Sequence, residues 1–70
     1  MKAIKVKIKK VHKIDRELFP EGAETFIHKS ILTGKWLIKS PVNKESYNLT
    51  CLTSRISNRC SFGDILTKIN

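Results

Sequence analysis

The residues best placed to do chemistry are three lysines, Lys5, Lys7 and Lys9, set at alternate positions and separated by Val6 and Ile8. On a strand, residues two apart leave the same face about 6.8 Å from one another. Phosphates of one DNA strand advance about 3.4 Å each along the duplex. Such a row can therefore follow a phosphate backbone while reading none of its bases, and Lys10 extends it. The row also has a second reading: lysines on a solvent face, an edge strand above all, maintain solubility and block edge-to-edge pairing.

A second basic and polar set comprises Thr50, Thr53, Ser54, Arg55, Ser57, Asn58 and Arg59. If the segment is helical, Arg55 and Arg59 stand one turn apart and share a face able to meet phosphate or a base edge. With a helix from Ser61, the chain is superficially similar to a helix-turn-helix. The link from Asn58 to Ser61 has no glycine, however, and Ser57 and Arg59 occupy positions that the motif fills with apolar residues. Two packing helices with a solvated polar face is the preferred reading.

His12, His28, Cys51 and Cys60 are four candidate zinc ligands, but no pair has a spacing such as Cys-x2-Cys or His-x3-His. Neither a metal nor any other cofactor is expected. Cys51, between Thr50 and Leu52, reads as a small buried residue. Nothing resembles a phosphate-binding loop or a nucleophile elbow. A small basic ribonuclease using His12 or His28 with Arg55 and Tyr47 is chemically feasible, but those residue types are equally routine on a basic surface, and no catalytic role is expected. The aromatic residues are Phe19, Phe26, Trp36, Tyr47 and Phe62. Trp36 alternates with Ile38 and reads as core, which disfavours single-strand binding by stacking.

Composition bounds these options. Seventy residues make one domain, 1–70, too short to hold a second core. A chain of about this size buries only about 60% of its unfolded surface, so a partner or a second copy would add stability, and a homo-oligomer stays open. The longest apolar run is three residues, Trp36 to Ile38, against the roughly 20 that a membrane span needs. Met1 followed by alternating lysines does not read as a signal peptide. A cytoplasmic protein is expected, with Cys51 and Cys60 as free thiols and the Asn48-Leu49-Thr50 sequon accidental. Fourteen Lys and Arg against six Asp and Glu give a net charge of +8, which favours anionic partners.

The elements that must position these residues follow from pattern. Ile4, Val6 and Ile8 alternate with Lys5, Lys7 and Lys9, the period of a half-buried strand, and the alternation slips at Lys9-Lys10 as at a bulge or strand end. Asp15 to Glu24 is acidic, contains Pro20-Glu21-Gly22, and reads as an exposed connection. Thr25–Ile31 and Lys35–Lys39 read as a hairpin through Leu32-Thr33-Gly34, with Gly34 left-handed and Pro41 ending the second arm, in preference to a helical stripe of Phe26, Ile27, Ser30 and Ile31 with Gly34 as its C-cap. In Ser46 to Asn58, Leu49, Leu52 and Ile56 suit a helix and the Tyr, Thr and Cys content suits a strand, with helix the preferred reading. Phe62, Ile65, Leu66 and Ile69 share one face of a terminal helix started by Ser61 and Asp64.

The fold class expected is α+β: a small antiparallel sheet, built from the N-terminal strand and the hairpin in 25–40, packed against C-terminal helix. Its core would hold Ile4, Val6, Ile8, Ile27, Ile31, Trp36, Ile38, Leu49, Leu52, Phe62, Ile65, Leu66 and Ile69. The function expected is that of a nucleic-acid-binding accessory or regulatory protein, for DNA or RNA, with Lys5, Lys7, Lys9, Lys10, Arg55 and Arg59 on phosphates. The alternative is an inhibitor or adaptor that docks on an acidic protein surface of a larger enzyme or nucleic-acid machine. A small ribonuclease ranks third.

Overall fold

The alternating N-terminal segment forms strand β1, Ile4–Ile8, whose Val6 and Ile8 are buried while Lys5 and Lys7 are exposed. The computed structural model describes residues 3–69. β1 lies in a five-stranded antiparallel sheet with β2 (Glu24–Lys29), β3 (Trp36–Lys39), β4 (Ser46–Asn48) and β5 (Leu66–Lys68), in the order β4-β3-β2-β1-β5. Helix α1, Leu49–Ile56, packs against β3 and β4, and one helical turn, α2 (Phe62–Ile65), leads into β5. The fold is α+β, an antiparallel sheet with a helix packed on it.

The hairpin forms as its composition implies. β2 and β3 pair with Ile27 opposite Ile38, and Gly34 takes the left-handed backbone, φ 71°, that only glycine adopts without cost. The loop is longer than expected, however: the strands stop at Lys29 and start again at Trp36, and Ser30 N–H closes the loop on the Lys35 carbonyl at 2.8 Å. Ile31, expected in the core, is 82% exposed at the loop tip, and Leu32 beside it is 96% exposed.

The segment expected to be one helix, 46–58, divides. Ser46, Tyr47 and Asn48 pair with β3 as strand β4, and Asn48 then caps α1, its side chain accepting from Thr50 N–H at 3.0 Å. Leu49, Leu52, Thr53 and Ile56 make the inward stripe of α1. Cys51 faces outward and is exposed, not buried; Cys60 is half-buried against the core, and both are free thiols.

The terminal helix is also shorter than its periodicity implies. After Ile65 the backbone turns extended, and Leu66, Thr67 and Lys68 pair with Ile8, Lys7 and Val6. Without them, the free edge of β1 would leave backbone groups beside buried Val6 and Ile8 unpaired. Gly63 weakens the helix, while β-branched Thr67 and Ile69 favour the strand. Just before this edge, Lys9 and Lys10 N–H both reach the Ile65 carbonyl, at 2.7 and 3.4 Å, the two-against-one pattern of a bulge.

The acidic connection is less exposed than its charge suggests. Phe19, absent from the expected core, is 1% exposed and meets the Tyr47 ring edge-on at 5.5 Å between centroids. Val11 is buried as well. The fully buried Ser40 hydroxyl donates to the Leu18 carbonyl at 2.7 Å and accepts from Val42 and Asn43 N–H, so the connection is held across the β3–β4 turn. Ile4, Trp36 and Phe62 pack against the core from partly buried positions, and Ile69 is also only partly buried.

Candidate nucleic-acid interface

Alternation sorts each strand's side chains onto two faces. Thr25, Ile27 and Ile38 turn toward the core, so Lys5, Lys7, Glu24, Phe26, His28, Leu37 and Lys39 share the outer face. The strand register sets Lys5 opposite Phe26, Lys7 opposite Glu24 on one side and Thr67 on the other, and His28 opposite Leu37. Phe26 stands on the central strand with Lys5 on β1 to one side and β3, carrying Lys39, to the other. An open trough of about 510 Å³ runs over this face, lined by Ala3, Phe26, His28, Lys39, Lys44 and Ser46.

Lys44 enters from the β3–β4 turn. Its backbone is left-handed, φ 65°, an uncommon state for a residue other than glycine, and is held by its N–H on the Ser40 carbonyl at 3.0 Å. Its Nζ donates to the Pro41 carbonyl at 3.0 Å. The acids nearby are Glu24, 3.2 Å from Lys5 Nζ, and Glu45, which accepts from Asn43. Both ends of the Lys5–Glu24 pair are about half exposed (48% and 53%), so it contributes little stability and can be exchanged for another anion.

The six basic residues singled out from the sequence divide among four places. Lys5 and Lys7 lie on the outer face. Lys9 and Lys10 lie past the end of β1, where Lys9 Nζ donates to the Gly63 carbonyl at 3.2 Å and both ammonium groups favour the Asp64 carboxylate. Arg55 and Arg59 do not share a helix face, because α1 ends at Ile56 and Ser57 is extended. Arg59 is exposed in the turn that follows. Arg55 Nε donates to Asp15 Oδ2 at 2.8 Å, and this hydrogen bond, ahead of the attraction between the two charges, raises the guanidinium pKa further.

Of the residues named for a ribonuclease, His28 is on the outer face, Tyr47 on the inner side beside Phe19, and Arg55 against Asp15. His12 Nδ1 accepts from Ile14 N–H at 3.3 Å and caps the 3-10 turn at Lys13–Asp15. Among the described residues no group of three or more His, Cys, Asp or Glu could hold a metal ion, and no helix is long and apolar enough to cross a membrane.

Phe26, His28, Lys39 and Lys44 were not among the residues assigned to nucleic-acid contact from the sequence. The signal for the first three was the alternation of Thr25 and Ile27 with Phe26 and His28, and of Ile38 with Lys39, once the hairpin is accepted. Only the strand order shows that this face continues that of Lys5. Comparison with protein-family models, curated proteins and solved structures returns no match, so the site is read from its geometry.

Proposed function

We propose that this protein binds nucleic acid through the outer face of its sheet, with Lys5, Lys7, Lys39 and Lys44 neutralising phosphates. The observation that carries the reading is the gathering of these lysines on one face, around Phe26, in a chain of net charge +8. The contacts are to backbone phosphates and carry no base preference of their own. A cytoplasmic location, where both thiols stay reduced, accords with this role.

Four phosphate contacts set the salt dependence. The log–log slope of affinity against salt is about −2.8 for a single strand and about −3.6 for a duplex. Affinity then falls about 50-fold or about 150-fold, respectively, between about 50 and 200 mM salt. Fluorescence anisotropy of labelled DNA and RNA tests this directly. Absent binding at the lower salt, or a flat slope, refutes the reading.

A second reading is favoured by the Ile31-Leu32 tip, 82% and 96% exposed and flanked in the chain by Lys29 and Lys35. It is an inhibitor or adaptor that docks on an acidic protein surface, with the tip as apolar anchor. A saturable protein complex that survives moderate salt and is lost on changing both tip residues to serine would favour it.

A further inference from the structure

A face built for phosphate alone has no use for a large ring at its centre, yet Phe26 is 46% exposed on the central strand. Its inward neighbours Thr25 and Ile27 supply β2's share of the core, so the outward ring is not needed to cover the sheet. Around it lie the ammonium-bearing side chains of Lys5, Lys39 and Lys44, and two residues along the same strand lies His28. An aromatic platform ringed by cations matches the chemistry of a nucleotide, which has a flat π face at one end and an anion at the other.

The spacing decides which form of nucleic acid fits. Phe26 and His28, two apart on β2, are about 6.8 Å apart, twice the roughly 3.4 Å advance per nucleotide in a stacked duplex. Adjacent bases can rest on these two rings only when they are unstacked from one another. A duplex keeps its base faces covered and offers only edges in its grooves, so a flat sheet surface cannot reach them.

We propose, resting on the nucleic-acid reading above, that the outer face is a single-strand site in which one base stacks on Phe26 and its neighbour on His28. Lys5 and Lys39, on the strands to either side of Phe26 at a spacing of about 4.8 Å, take the flanking phosphates. Lys44 closes the trough at its end. Stacking of this kind accepts any base, and the site is accordingly sequence-tolerant.

The test uses the whole chain with labelled oligo-dT, oligo-U and a mixed-sequence duplex, each of about 12 nucleotides or base pairs, within the usual range of single-strand site sizes. Phe26→Ala is expected to weaken both single strands about 5- to 150-fold while leaving the salt slope and duplex affinity unchanged. Phe26→Trp, which keeps a platform, retains single-strand affinity. Circular dichroism and urea unfolding confirm that both variants fold, which the exposed position of Phe26 favours. If Phe26→Ala binds single strands within about twofold of the parent while Lys5→Gln and Lys39→Gln weaken them, stacking is overturned and the phosphate reading survives. If the parent binds no oligonucleotide at about 50 mM salt, where phosphate contacts are strong, both fall together. A difference between oligo-U and oligo-dT that persists when oligo-dU replaces oligo-dT assigns the sugar preference, and the loss on Phe26→Ala is expected in all of them.

Discussion

Replacing Arg55 should cost stability and leave nucleic-acid binding intact. Arg55 on α1 and Asp15 at the end of the 3-10 turn are 40 residues apart in sequence and meet at 2.8 Å. The Asp15 side chain is only 9% exposed and that of Arg55 is 41% exposed. Exposed pairs contribute about 0.2–1 kcal/mol, whereas removing one partner of a buried pair costs about 3–5 kcal/mol. With one end buried and the other screened by solvent, Arg55→Met is expected to cost about 2 kcal/mol, since it keeps the aliphatic stem but leaves the Asp15 carboxylate unpaired. A chain of this length holds about 3.5–10 kcal/mol in total. The loss corresponds to a fall in Tm of about 8–16 °C. Urea unfolding followed by circular dichroism measures it, and Asp15→Asn completes a double-mutant cycle in which Arg55→Met costs under about 0.5 kcal/mol. A single-mutant cost below about 0.5 kcal/mol, or equal costs in both backgrounds, refutes the assignment. Loss of oligonucleotide binding with unchanged stability would instead make Arg55 a phosphate contact.

Phe19→Ala removes a ring 1% exposed and should cost about 3–5 kcal/mol, enough to leave much of the chain unfolded in a urea titration. Lys44→Gly relieves a left-handed backbone and should stabilise by about 0.5–1 kcal/mol, while weakening oligonucleotide binding several-fold. Asp64 accepts from Ser61 N–H at 2.8 Å and Ser61 Oγ at 3.1 Å, which lowers its pKa, with Lys9 and Lys10 adding to the effect. A lowered carboxyl pKa gives stability that is present above the unfolded-state value and lost as pH falls through the lower folded value. Carbon-detected titration should place Asp64 below the ordinary carboxylate range, and Asp64→Asn should remove that part of the acid dependence. Changing both Ile31 and Leu32 to serine should alter stability by no more than about 0.5 kcal/mol in thermal melts, because neither side chain is packed.

Patterns confined to one element were legible in the sequence. The alternation of Ile4, Val6 and Ile8 specifies β1 and its buried face, and Gly34 marks a left-handed turn because few other residues tolerate it. Features that depend on distant pairing were not legible. Phe62, Ile65, Leu66 and Ile69 fit a helix, and only the open edge of β1 draws residues 66–68 into a strand. Phe19 lies in an acidic stretch whose local composition speaks for exposure, and its burial depends on Tyr47, brought beside it by the sheet. Arg55 is an exposed cation whose pairing with Asp15 could not be read, because Asp15 lies in a separate element. The candidate site shows the same division: Lys5 and Lys7 follow from one strand's period, whereas Phe26, His28 and Lys39 join them only through the β1-β2-β3 register.

The most direct test of the central claim compares two charge-matched triple variants by anisotropy with labelled oligo-dT. In one, Lys5, Lys7 and Lys39 on the outer face become Gln; in the other, Lys13, Lys29 and Lys68 away from it become Gln. Both lose three positive charges from a chain of net charge +8. The face variant should bind at least about tenfold more weakly at about 50 mM salt, with a log–log slope flatter by about 2, while the other stays within about threefold of the parent. Equal losses in the two variants would mean that net charge alone attracts the strand, and would contradict a binding face on the sheet.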